Sequence, residues 1–463
     1  MNQRPVFDVD LIRRYDQTGP RYTSYPTAAQ FHTDISNADY RLWAQHSNED
    51  PIPRGLSLYI HIPFCDTVCY YCACNKIVTK DHARTGEYLK HLYRELALQG
   101  ELFDPDRVVE QLHWGGGTPT FLGAAEMREL MAMTGKYFTL LPDDSGEYSI
   151  EIDPRTVDAE KLETLREIGF NRTSLGVQDL HEPVQKAVNR IQSESLTRAV
   201  TEQARSLGFR SINIDLMYGL PFQTVDSFTD TLKRIVDIGP DRIAVYNYAH
   251  LPERFKPQRR INETDLPSPG VKLDILQTTV EFLTGAGYVY IGMDHFARPD
   301  DELAIAQNQG TLHRNFQGYS THADCDLIGL GVTAIGSVCE NYSQNVRDLD
   351  QYYAKTDAGT LPLERGVELE PDDMLRRVII TQLMCQFFLD IEALEKQWRF
   401  TFKDRFRAEL HDLRQMQNDG LLTIGNDAIR VLPSGRLLVR NICMVFDRYL
   451  RTGRDKARFS KVI

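Results

Sequence analysis

Three cysteines, Cys65, Cys69 and Cys72, stand in the stretch Tyr59-Ile-His-Ile-Pro-Phe-Cys65-Asp-Thr-Val-Cys69-Tyr-Tyr-Cys72-Ala-Cys74-Asn75. Their Cys-x-x-x-Cys-x-x-Cys spacing gathers three thiolates in one short loop behind an apolar run, Leu56–Ile62. Thiolate is the usual ligand of a 4Fe–4S cluster, which has four irons to coordinate. Three ligands from one loop leave one iron open, and an open metal position is where a substrate or cofactor is bound and activated. Two other readings compete. The thiols are inert and buried, or they hold a structural zinc, which wants four closed ligands, commonly in paired Cys-x-x-Cys units. Cys74 and His61 are local fourth ligands, so spacing alone leaves zinc open.

The elements around this loop follow a repeating order. Apolar, β-rich runs occur at Leu56–Ile62, Val109–Trp114, Tyr148–Ile152, Arg172–Val177, Ser211–Met217 and Arg242–Tyr246. Helical patterns fall between them, at Thr85–Leu102, Ala124–Phe138, Asp158–Ile168, Pro183–Leu207 and Val225–Ile238, and the pattern extends through Pro269–Ala286 and Tyr288–Met293. Strands alternating with amphipathic helices predict right-handed βαβ units, a parallel sheet and a closed or partly closed barrel. In such folds the site lies at the carboxyl ends of the strands. The residues there are the cysteine loop, Gly115-Gly116-Gly117-Thr118, Glu151 and Asp153, Gln178 and Asp179, Asp215, and Asn247-Tyr248-Ala249-His250.

The glycine run offers backbone that a ligand can approach closely, with N–H groups to donate. It has neither the ending of a P-loop nor the spacing of a dinucleotide fingerprint. Glu151 and Asp215 are suited to ribose hydroxyls or an ammonium, and Arg190 to a carboxylate, although a helix-face arginine is ordinarily solvated. Residues 1–50 show weak periodicity, and Gly19-Pro20-Arg21-Tyr22 and Tyr25-Pro26 favour extended backbone. Arg21, Tyr22 and Tyr25 suit a lid that grips a large substrate; a surface strap is the alternative. Residues 371–463 read as helices, then a hairpin about Gly425-Asn426-Asp427, in a winged-helix-like order.

The 463 residues, 42% hydrophobic and 25% charged, have the make-up of a globular enzyme. A net charge of -12 argues against general nucleic-acid or anionic-membrane binding. The charge is uneven: residues 371–463 carry 17 Lys+Arg against 12 Asp+Glu, a net of +5, leaving -17 for the rest. The N-terminal residues lack a signal-type apolar core, and the longest nearly apolar stretch, near Val378–Leu389, is too short to span a bilayer. With no export signal, the 8 cysteines read as thiols, and the expected location is cytoplasmic.

The cysteine spacing is that of radical S-adenosylmethionine (SAM) enzymes, and the chain as a whole resembles the oxygen-independent coproporphyrinogen III oxidase family. The motifs that carry the resemblance are the Gly19–Ala28 arm, Tyr59–Cys74, Leu112–Thr120, Glu151–Arg155, Gln178, Asn213–Pro221, Tyr246–Leu251, Gly292–Asp301, His313–Gly318 and the C-terminus. The resemblance implies an α/β fold: an incomplete (β/α) radical-SAM barrel over residues 51–370, an N-terminal arm over the active site at 1–50, and a mostly helical C-terminal domain at 371–463. It implies one 4Fe–4S cluster on Cys65, Cys69 and Cys72, with Cys74 completing the motif without being a ligand.

It further implies two SAM molecules. Tyr59, Gly116, Glu151 and Ile335 match the positions for the first, and Tyr71, Gly117, Thr118, Gln178, Arg190, Asp215 and Ala249 those for the second. The implied reaction cleaves SAM reductively to a 5′-deoxyadenosyl radical, removes hydrogen from a propionate β-carbon and releases CO2, leaving a vinyl group. Two rounds convert coproporphyrinogen III to protoporphyrinogen IX, with an external electron donor and acceptor. Arg21 and the basic C-terminal surface match the substrate carboxylates in charge. The expected state is a monomer. The rival from another class is a haem-binding chaperone of the same superfamily; a cluster-only electron carrier and a radical methyltransferase are weaker rivals.

Overall fold

The computed structural model describes residues 4–322 and 324–451. The chain forms two compact units, each assembled from separated segments: Phe31–Ser268 with Asp324–Glu368, and Met1–Gln30 with Pro269–Ala323 and Leu369–Ile463.

The larger unit is built on parallel strands β1 (Leu56–Ile62), β2 (Val108–Gly116), β3 (Glu147–Ile152), β4 (Arg172–Gln178), β5 (Ser211–Tyr218) and β6 (Arg242–Asn247). Later residues add β7 (Asp326–Leu330), β8 (Ile335–Val338), β9 (Asn341–Asn345) and β10 (Leu363–Val367). Within this unit the strands run in the order β6-β5-β4-β3-β2-β1-β7-β8-β9-β10. It is parallel from β6 to β7 and antiparallel from β7 to β10. β10 ends the sheet and does not pair back onto the parallel strands among the described residues, so the barrel is incomplete. Helices α1 (Ala83–Gly100), α2 (Ala124–Tyr137), α3 (Ala159–Glu167), α4 (Glu194–Ser206) and α5 (Val225–Ile238) make the crossovers.

Residue alternation along the strands builds both a core and a site. Leu58, Ile60 and Ile62 of β1, Leu112 and Trp114 of β2, and Ile212, Ile214 and Leu216 of β5 are fully buried. The residues between them on the opposite face are polar and only partly buried, among them Tyr59, His113, Ser149, Glu151, Ser174, Asn213 and Asp215. Register places Tyr59 beside His113, His113 beside Ser149, Glu151 beside Ser174 and Ser174 beside Asn213. Successive strands therefore present one continuous polar layer.

Two elements depart from the sequence reading. The single helix expected over Pro183–Leu207 is two, Glu182–Ala187 and Glu194–Ser206, separated by a turn in which Asn189 has φ +54°. Residues 31–50 carry a real helix, Asn37–Asn48, started by a Ser36/Asp39 capping box and burying Tyr40, Trp43 and Ala44. The weak periodicity concealed that cap.

The smaller unit is mostly helical, with helices at Pro269–Gly285, Glu302–Gln309, Pro371–Gln386, Arg407–Asn418 and Val439–Val445 among others. A three-stranded antiparallel sheet sets Ala428–Val431 between Phe388–Asp390 and Leu422–Ile424, so the hairpin about Gly425–Asp427 is present with one further strand. The stretch Gly19–Tyr25 is tied into this unit. Arg440 donates to the carbonyls of Gly19 and Pro20, at 2.6 and 2.9 Å. Tyr22 Oη donates to Asp447 Oδ2 at 2.9 Å, and Tyr25 Oη accepts from Arg448 N at 3.0 Å. Tyr22 and Tyr25 are buried. They are packing residues, as in a strap, and not side chains free to grip a ligand. The basic residues after Arg451, which supply part of the C-terminal charge excess, lie outside the described residues.

Candidate active site

The cysteine loop leaves the end of β1 and is fastened at both ends. Phe64–Cys65 pairs in parallel with Ile77–Val78, Ile77 N donates to Pro63 O at 2.7 Å, and Thr79 N to Cys65 O at 3.0 Å. Residues of the broken crossover hold its middle: Tyr70 N donates to Val188 O at 2.9 Å and Asn189 Nδ2 to Val68 O at 2.8 Å. Gln258 Nε2 adds a bond to Tyr71 O at 3.0 Å. Tyr71 packs against the apolar cluster of Val184, Val188, Leu220, Tyr248 and Ile261, next to Ala249.

Cys65 and Cys69 are buried, Cys72 is partly buried and Cys74 is exposed. Cys65 Sγ lies 3.3 Å from Thr118 Oγ1, and burial pushes its thiol up to about 12. Cys72 and Cys74 act on each other: Cys74 is the chief cause that holds the Cys72 thiol below its ordinary value, and Cys72 in turn raises Cys74. Cys69 Sγ receives guanidinium N–H groups from Arg155 and Arg190, both at 3.6 Å.

These contacts separate the metal readings. No three of Cys65, Cys69, Cys72, Cys74 and His61 bring ligand atoms within 4.8 Å of one another. Ligands of a tetrahedral zinc, bound at about 2.3 Å, sit roughly 3.8 Å apart. The thiols are not gathered as a closed one-ion site. Cationic N–H donors at a sulfur fit a group that carries net negative charge.

Arg190 belongs to this site because of the helix break. It is buried in the turn rather than solvated on a helix face. Its guanidinium pairs with Asp153 Oδ2 at 3.1 Å and donates to Gly176 O. Arg155 pairs with Asp153 as well, at 2.7 Å, so one carboxylate orients both arginines toward Cys69. Burial raises Asp153, but Arg190 and Arg155 outweigh it and hold the carboxyl below its ordinary value. Glycine at 176 gives the arginine room, since a Cβ would press within 3.0 Å of Arg190 Nη2 and 3.2 Å of Gln178 Nε2. Gln178, with φ +71°, turns out of β4 beside it. Arg190 Nε has no partner among the described residues, so the site keeps one buried donor for a ligand.

Further along the polar layer, Glu151 Oε2 accepts from Gly116 N at 3.1 Å and Oε1 lies 3.5 Å from His113 Nε2. Burial raises its pKa, but the His113, Gly116 and His61 interactions bring it below the ordinary carboxylate value. Tyr59 stacks on His113 with centroids 5.8 Å apart and donates to His61 Nδ1 at 3.1 Å. His61 Nε2 donates to Asn75 O at 3.2 Å, and burial keeps the ring neutral. Asp215 accepts from Ser174 Oγ and Asn213 Nδ2, both at 2.8 Å, and burial carries it up to about 6. Ile335 opens β8 against Gly329, the register partner of Tyr59, where a Cβ on Gly329 would come within 2.7 Å of Ile335.

The glycine run has a different purpose from the one its sequence suggests. Gly116 N is bound to Glu151, Gly117 N to Ile62 O at 2.8 Å and Thr118 N to Phe64 O at 2.8 Å. These amides are spent within the protein and are not donors held for a ligand. The glycines are needed for close approach: a Cβ would meet His61 at 2.7 Å from Gly116 and Phe64 O at 2.7 Å from Gly117. His113, Arg155 and Asn213 were missed as site residues. Period-two alternation along β2 and β5 was the available signal for two of them.

With this geometry in view, the comparisons decide the family. Residues 59–235 match the radical SAM superfamily, and residues 369–438 the HemN C-terminal domain. The oxygen-independent coproporphyrinogen III oxidase of Pseudomonas aeruginosa is 54% identical over 459 residues, covering 99% of each chain. The chain belongs to the oxygen-independent coproporphyrinogen III oxidase family. That of Escherichia coli K12 is 50% identical over 461 residues, covering 100% of this chain and 99% of that one. A solved structure of coproporphyrinogen III oxidase (HemN) from Escherichia coli, described as a radical SAM enzyme, superposes with a TM-score of 0.91 at 48% identity, covering 96% of this chain and 100% of that one. Membership of this family makes a 4Fe–4S cluster and SAM the cofactors. No helix among the described residues is long and apolar enough to cross a membrane.

Proposed function

We propose that this chain catalyses oxygen-independent oxidative decarboxylation of two propionate side chains of coproporphyrinogen III, giving the vinyl groups of protoporphyrinogen IX. The observation that carries the reading is a triad of thiols on the loop that leaves β1, with guanidinium donors on Cys69, at the carboxyl ends of parallel strands lined by ionisable side chains. When bound, the cluster and SAM supply the one-electron chemistry that removes hydrogen from the propionate β-carbon. Loss of CO2 from that carbon chain then releases one electron to an external acceptor, and an external donor primes each round.

The residues of this chain bind and orient. Cys65, Cys69 and Cys72 are the cluster ligands in this reading, while Cys74, exposed and bonded to Cys72, tunes the loop from outside the ligand set. Tyr59, Gly116, Glu151 and Ile335 form the place for the cluster-bound SAM. Glu151 is charged at neutral pH and turned toward the mouth, as recognition of an ammonium or hydroxyls requires. Tyr71, Gly117, Thr118, Gln178, Arg190, Asp215 and Ala249 form the place for a second SAM. Its support is that Glu151 and Asp215 stand on different strands with separate donor sets, and that Arg190 keeps an uncommitted N–H. Gly117 contributes shape rather than a donor. The chain acts as a monomer in this reading.

The decisive experiment is anaerobic reconstitution with iron and sulfide, followed by SAM, dithionite and coproporphyrinogen III, with products resolved by chromatography. The expected result is sequential formation of a mono-vinyl intermediate and protoporphyrinogen IX, with methionine released. SAM cleavage with no change in the tetrapyrrole refutes the reading. Equilibrium dialysis against labelled SAM counts the bound molecules, and one per chain refutes the second site.

A further inference from the structure

Two arginines of the smaller unit are buried without a counter-charge among the described residues. Arg314 is 9% exposed and Arg436 8% exposed. Nε and Nη1 of both have no hydrogen-bond partner among the described residues. Arg314 lies over the Tyr319 ring at 4.9 Å and opposite it in the hairpin His313–Asn315/Gly318–Ser320. Arg436 lies over the Phe387 ring at 4.6 Å, and Phe387 stacks on Tyr290 with centroids 6.3 Å apart. Tyr319 Oη, in electrostatic contact with both Arg314 and Tyr290, is also buried and unpartnered, and so is Gln317 Nε2.

A buried, unpaired guanidinium is costly, so a fold keeps one only where something repays it. The unpartnered atoms of Arg314, Arg436 and Gln317 are all donors, and the Tyr319 hydroxyl can donate too. A donor-only set asks for an acceptor-only ligand, and of the two groups matched to a guanidinium fork, carboxylate and phosphate, the substrate assigned above carries carboxylates. The neighbouring arginines differ. Arg440 is spent on the Gly19 and Pro20 carbonyls, and Arg21 on Asp294 at 2.9 Å.

We propose that Arg314 and Arg436, assisted by Gln317 and Tyr319, receive propionate carboxylates of the tetrapyrrole. This rests on the substrate assigned under Proposed function. Coproporphyrinogen III has four propionates and only two react, so carboxylate anchors remain useful through both rounds. These are positioning residues. The strap arginines hold the protein together, whereas this pair holds the substrate.

The test uses the full-length chain and the stable oxidised analogue coproporphyrin III, compared with its uncharged tetra-amide, by fluorescence quenching. Arg314→Met and Arg436→Met should each weaken coproporphyrin III binding at least tenfold and raise KM for coproporphyrinogen III. Their melting temperature should equal or exceed the wild type's, because an uncompensated buried charge is gone. Arg314→Lys should recover part of the affinity. Arg440→Met, the structural comparison, should lower the melting temperature. Unchanged affinity in both Met variants, affinity loss that merely tracks a fall in melting temperature, or equally tight binding of the tetra-amide would each overturn the proposal. If the wild type binds coproporphyrin III through these arginines but does not decarboxylate coproporphyrinogen III, the reaction assignment fails while the carboxylate site stands.

Discussion

Glu95 should make the stability of the barrel fall as pH rises, and Glu95→Gln should remove that dependence. Glu95 lies on α1, fully buried, and accepts from Tyr352 Oη at 2.6 Å, Asn345 Nδ2 at 2.6 Å and Gly331 N at 2.7 Å. It ties α1 to the turn that leads from β7 into β8 and Ile335. Burial outweighs those three donors and raises the carboxyl from 4.5 up to about 7. Between these two values the folded chain keeps a proton that the unfolded chain releases. The stabilising contribution is therefore complete below pH ~4.5, falls as pH rises through ~7, and is flat above. At ~1.4 kcal/mol per unit, the change totals about 3 kcal/mol. The glutamine does not titrate, but its amide nitrogen faces one of the three donors, a pH-independent cost of about 1–3 kcal/mol. The variant should thus be less stable than wild type at pH 5 and equal or more stable at pH 8. Urea unfolding followed by circular dichroism at pH 5, 6, 7 and 8 measures the crossing. A stability difference that is constant over this range refutes the argument.

Serine at Cys65, Cys69 or Cys72 should abolish the brown chromophore and SAM cleavage together, whereas Cys74→Ser should retain iron and sulfide; analysis of both after reconstitution checks the ligand set. Arg190→Met leaves the Gly176 carbonyl unpaired and takes one of two cations from Asp153, so SAM affinity measured by dialysis should fall at least tenfold. Arg190→Lys should recover little, because one ammonium cannot reach Asp153, Gly176 and Cys69 in the fork geometry. Arg107 is buried against Asp326 at 2.5 Å and also donates to Ser47, Asn48 and the Arg54 carbonyl. Arg107→Ala should cost about 3–5 kcal/mol in denaturant unfolding, while removing the exposed Arg128–Glu167 pair should leave the transition unmoved.

The cysteine triad, the strand–helix alternation and the strand-end carboxylates were legible because each depends on local spacing: a loop gathers its own thiols, and period-two and period-3.6 patterns declare strands and helices. The parallel barrel followed from them. What depends on distant partners was not legible. Arg190 reaches Cys69 and Asp153 only because the expected long helix breaks at Asn189 and returns the chain to the cysteine loop. The glycine run proved to be space for His61 and the Phe64 carbonyl, since its amides find acceptors on a neighbouring strand and on Glu151. Tyr22 and Tyr25 became core because Asp447 and Arg448, more than 400 residues away, complete their hydrogen bonds. The unpaired state of Arg314 and Arg436 is the clearest case. A sequence shows that an arginine is present, but only the packed fold decides whether water, a carboxylate of the chain or a bound ligand takes its charge.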